Sequence, residues 1–221
     1  MRNKLLLPIT FAFLCIGVFV GYITINGVNL QSVISFGSGS LYASEDSSLN
    51  GSFEQLERRD IQWSQLLPEH ERQILSEYQV KQPQTVSDLT EQILRSIEAS
   101  SDQDYQSAMR STQTVADFDG SAISIPGFAV PVEFHADQTP SLIFIVPYYG
   151  ACIHFPPPPP NQIIFARLSP GFDLPALTEA YLFYGLLNQG LYEDPLGTSA
   201  YELRVTKINE FVGQPDDFRS H

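Results

Sequence analysis

Cys152 and His154 are the residues of this chain best suited to soft-ligand chemistry. They lie two apart in the segment Tyr148-Tyr149-Gly150-Ala151-Cys152-Ile153-His154-Phe155, which runs into five consecutive prolines, Pro156 to Pro160. On extended backbone that spacing sends both side chains to one face, and thiolate with imidazole suits zinc, copper or iron. Zinc takes three or four ligands, so two residues do not complete a site. His135, with Glu133 beside it, is the third candidate, the remaining histidines being His70 and His221. Two other readings of the pair stay open. An adjacent imidazolium activates a thiol, which would make Cys152 a redox or nucleophilic centre of a thiol-dependent enzyme. Alternatively, a small buried thiol and a hydrogen-bonded histidine simply pack.

No other catalytic constellation presents itself. The sequence has no Gly-rich phosphate loop, no G-x-S-x-G, no H-E-x-x-H, no C-x-x-C and no haem-attachment run. Acidic residues are plentiful but scattered, and Glu193-Asp194 before Pro195 reads as a solvated turn. A binding or accessory role is therefore favoured over an enzyme.

The compartment follows from the first segment. Leu5 to Ile25 carries no charge over 21 residues, which as a helix reaches roughly 31 Å, about the hydrocarbon thickness of a bilayer. Arg2 and Lys4 precede it, and the positive-inside bias then leaves the N-terminus in the cytoplasm and the remainder outside. A cleaved signal is the rival reading, but the run is long for one and no small-residue cleavage site follows closely. The expectation is a single-pass inner-membrane protein with its C-terminal domain in the periplasm. In an oxidising compartment a lone thiol such as Cys152 needs a reason, because Cys15, its one possible partner in the chain, lies inside the apolar run.

Every acidic residue lies beyond Leu41, so the part after residue 44 carries 10 basic against 25 acidic side chains, near −15. A surface so negative repels phosphate, which excludes a nucleic-acid partner and disfavours anionic lipid surfaces.

Behind these residues the chain divides into an anchor or uncleaved signal at 1–26, a flexible Ser/Gly-rich linker at 27–52, a helical segment at 53–115, a β-barrel domain at 116–213 and a polar tail at 214–221. Ile61, Trp63, Leu66 and Leu67, then Ile74, Leu75 and Tyr78 after Pro68, recur at helical spacing. Trp63 reads as a packing anchor. Thr85 and Asp88 form a capping box, followed by Val86, Leu89, Ile93 and Ile97 on one face. Ala99 to Thr114 is polar and reads as loop or frayed helix.

From Ala116 the period becomes two. Ile123 and Ile125 share one face; Phe128, Val130, Val132 and Phe134 share a series offset by one, which predicts a β-bulge at Pro126-Gly127. Further strands are expected at Ser141–Val146, Gln162–Leu168, Ala180–Leu187 and around Tyr201, Leu203 and Val205. The fold class is mainly β, α+β: a small five-stranded, OB-like, partly closed barrel preceded by short helices. The five prolines predict a polyproline II strut of about 16 Å, read as a rigid connector in preference to a ligand for an aromatic groove.

The runs IPGFAVPVEF (Ile125 to Phe134) and LIFIVPYYGACIHFPPPPPNQIIF (Leu142 to Phe165), with the opening IQWSQLLP (Ile61 to Pro68), resemble the bacterial family known as domain of unknown function 3299. The resemblance covers roughly Ile61 to Glu210, and the chain departs from it in a longer helical insert, Lys81 to Val115. It implies an exported or membrane-anchored protein, often encoded beside ABC transporters with a large periplasmic domain, some linked to zinc supply. A transporter or other envelope protein is thus the implied partner, and zinc at Cys152 and His154 is mildly supported.

Overall fold

Strand β3, Ser121–Phe134, organises the molecule. Its first half, Ser121 to Phe128, pairs antiparallel with β6 (Ala180–Asp194), and its second half, Phe128 to Phe134, with β4 (Pro140–Val146). One long strand thereby serves two neighbours, as it must where a sheet coils into a barrel. β4 pairs with β5 (Ile164–Arg167), β5 runs parallel to β7 (Gly197–Glu210), and β7 is antiparallel to β6. The ring β3-β4-β5-β7-β6-β3 is closed, where the sequence suggested partial closure. Two-residue strands β1 (Tyr42–Ala43) and β2 (Arg59–Asp60) extend β7 and β3. This computed structural model describes residues 40–78, 85–151 and 157–216. Leu5–Ile25, and with it the expected anchor, lies outside the described residues. Among those residues no helix is long and apolar enough to cross a membrane.

The offset in β3 is not a bulge. Register against β6 is unbroken through Pro126 and Gly127, and the irregularities fall instead between Pro131 and Phe134 against β4. Odd-numbered residues keep facing inward: Ile123, Ile125 and Ala129 all join the interior cluster. Gly127 is small because Trp63 fills the barrel there; a Cβ on it would lie 3.1 Å from Trp63 Cζ2 and 2.8 Å from Ile145 Cγ2. Phe128, Val130 and Val132 are apolar although they face outward, because a second cluster with Phe144, Val146, Ala151, Ile163 and Phe165 covers that side. Two buried faces therefore mimic a change of phase.

Trp63 belongs to a 3-10 turn, Trp63–Leu66, that plugs the barrel, and its Nε1 donates to the Pro126 carbonyl at 2.7 Å. The Asp216 carboxylate accepts from the Trp63 and Ser64 amides at 2.8 and 2.9 Å, so the start of the expected polar tail is bound to the barrel end. The end of the expected linker is likewise structured. Helix α1, Ser47–Glu54, is capped by Asp46 and buries Leu49 against Ala122 and Leu186.

Helix α2 (Glu69–Glu77) starts after Pro68, and α3 (Val86–Ser101) starts at the expected Thr85–Asp88 capping box. The polar stretch after it contains α4, Gln103–Ala108. Asp102 makes that short helix possible by accepting from the amides of Asp104 and Tyr105, and Tyr105, Ala108 and Met109 then pack with Leu67, Ile74 and Leu75.

Candidate functional site

Cys152 and His154 lie outside the described residues, which flank them on both sides. β4 ends at Val146, a turn follows in which Gly150 takes φ 77°, and Ala151 is fully buried against the outer apolar cluster. On the other side Pro157 is exposed, while Pro158 and Pro159 are buried. Pro159, at φ −61° and ψ 155°, has polyproline II geometry, and Pro160 opens a 3-10 turn, Pro160–Gln162. Among the described prolines the polyproline II geometry thus ends at Pro159, one proline earlier than expected.

Asn161 and Gln162, at the end of the same sequence block, are both 0% exposed and bind the barrel to the helical segment. Gln162 Nε2 donates to the Trp63 carbonyl at 2.9 Å. Asn161 Nδ2 donates to Glu71 Oε2 at 2.7 Å and to the Gln113 carbonyl at 3.0 Å. Ser111 Oγ donates to the other Glu71 oxygen. Tyr201 OH donates to the Leu66 carbonyl at 2.9 Å and accepts from the Val115 amide at 2.7 Å. Burial pushes the Tyr201 hydroxyl up to about 12, with nearby Glu71 adding to the rise and the Val115 amide opposing it. Glu71 has the helix N-terminal position of an exposed, dipole-compensating residue, yet it is 3% exposed. Its role was invisible in the sequence because its donors lie 40 and 90 positions away.

His135 lies among the described residues. It follows β3 in the β3–β4 hairpin, and its Nε2 is hydrogen-bonded to the Leu168 carbonyl at 2.9 Å. Phe134 pairs with Pro140 at one end of β4, whereas Ala151 packs with Phe128 and Val146 at the other. Seven residues of strand, about 20 Å, separate the two ends. His70 is exposed, 3.7 Å from Glu71 Oε1. Among the described residues no group of three or more His, Cys, Asp or Glu side chains could hold a metal ion.

The outward aromatics of β4 and β5 have a roof. Tyr192, from the β6–β7 hairpin, lies 5.1 Å from Phe165 and 6.0 Å from Phe144, ring to ring, with the Arg167 guanidinium 5.7 Å above it. Burial, with Glu133 adding to it, raises the Tyr192 hydroxyl above the ordinary tyrosine range. The hairpin thus covers part of this face.

The family model described as protein of unknown function (DUF3299) matches residues 63–210. This chain belongs to the DUF3299 family. The matched span begins at the Trp63 plug and ends with β7, so β1, α1 and β2 precede the DUF3299 region. The chain is similar to a DUF3299 family protein of known crystal structure from Pseudomonas aeruginosa PAO1, at 26% identity and a TM-score of 0.50, over 72% of this chain and 99% of that one. No curated protein matches it.

Proposed function

We propose that this DUF3299 chain is a membrane-anchored, periplasm-facing accessory protein that binds a soft metal ion, zinc, through Cys152 and His154 and presents it to an envelope transporter. The observation that carries this reading is the burial of Ala151 on one side and of Pro158 and Pro159 on the other. Five residues bearing a thiol and an imidazole are bracketed by fixed points, and fixed flanks lower the entropy cost of bringing two ligands to one ion. Two ligands suit a metal in transit, because resident structural zinc takes four. His135, tied to Leu168, is left out of the set, and water or the partner completes it.

The barrel supports a binding role by its strand order. Taken as strands one to five, β3 to β7 close in the order 1-2-3-5-4 with the third and fifth parallel, the arrangement of an OB-type barrel. Barrels of that type bind oligonucleotides or oligosaccharides on the face of strands two and three. Here Tyr192 covers part of that face and the net charge is −13, so both features turn the reading away from nucleic acid.

The test is metal content. The full chain, extracted from membranes and freed of adventitious metal by dialysis, is expected to retain zinc that a Cys152→Ser, His154→Ala double variant loses. Equal, negligible content in both would overturn the reading, and rapid alkylation of Cys152 in the metal-free folded chain would favour a reactive thiol instead.

A further inference from the structure

We draw no further inference here: the strongest candidate, the groove between Phe128 of β3, the start of β6 and the segment Phe211 to Gln214 after β7, has the exposed Glu179 as its one charged lining residue, and nothing in the structure shows what covers it.

Discussion

Asn161→Leu tests whether the buried polar junction, rather than the proline run, holds the helical segment on the barrel. Leucine matches asparagine in side-chain heavy-atom count and branching and is somewhat larger, so the substitution deletes two donated hydrogen bonds without opening a cavity. The bond to Glu71 Oε2, 2.7 Å long and made to a carboxylate only 3% exposed, is of the charge-assisted kind that contributes roughly 1.5–3 kcal/mol. The bond to the Gln113 carbonyl adds about 1 kcal/mol. Against this stands Asn161 Oδ1, buried and without a partner among the described residues, whose removal recovers part of a desolvation cost. The net loss is about 2–3 kcal/mol, or roughly 5–10 °C in Tm for a chain of this size. Urea unfolding of the full chain in nonionic detergent, followed by Trp63 emission, reads it directly. Glu71→Leu alone should also destabilise, and the double variant should cost at least about 1.5 kcal/mol less than the sum of the two, because the orphaned carboxylate goes with its donor. An Asn161→Leu loss under about 0.5 kcal/mol, or strict additivity of the two substitutions, would refute the argument.

Two further outcomes follow from the same geometry. Gly127→Val should destabilise by about 1–3 kcal/mol through overpacking against Trp63 and Ile145, seen as a lower urea midpoint with a red-shifted Trp63 emission; an unchanged midpoint would mean that Trp63 does not fill the barrel there. Tyr201 keeps its proton to about 12 in the folded chain, against about 10 when unfolded. Since the raised value favours the protonated native state, its contribution is fully present below pH 10 and is lost as pH rises from there towards 12; Tyr201→Phe should flatten the fall of stability over that window, and an unaltered slope would contradict the assignment.

How far the sequence revealed this fold depends on the range of each interaction. The Thr85–Asp88 box and the Asp194-Pro195 turn are local, and both stand where the residues suggested. Trp63 was legible as an anchor because one large aromatic among helical-period leucines needs a core. α1 was not, since Ser47–Glu54 has the composition of a linker and depends on one cap, Asp46, and on Leu49 meeting strands more than 70 residues away. The offset in β3 misled because a period-two pattern records only which residues are apolar, not that both faces of the strand are covered, one by the interior and one by the outer cluster beneath Tyr192. For the candidate site, residue type singles out Cys152 and His154 as candidate ligands, but the pair lies outside the described residues, and of the three candidates only His135 is placed, in the β3–β4 hairpin with its ring hydrogen-bonded to the Leu168 carbonyl.

Cobalt(II) spectroscopy of the metal-free full chain addresses the proposed metal centre most directly, because a thiolate bound to cobalt produces a near-ultraviolet charge-transfer band that oxygen and nitrogen ligands do not. The account predicts that band at one equivalent of cobalt, its loss in Cys152→Ser and its displacement by zinc. A spectrum without the band, or one that Cys152→Ser leaves intact, would contradict it.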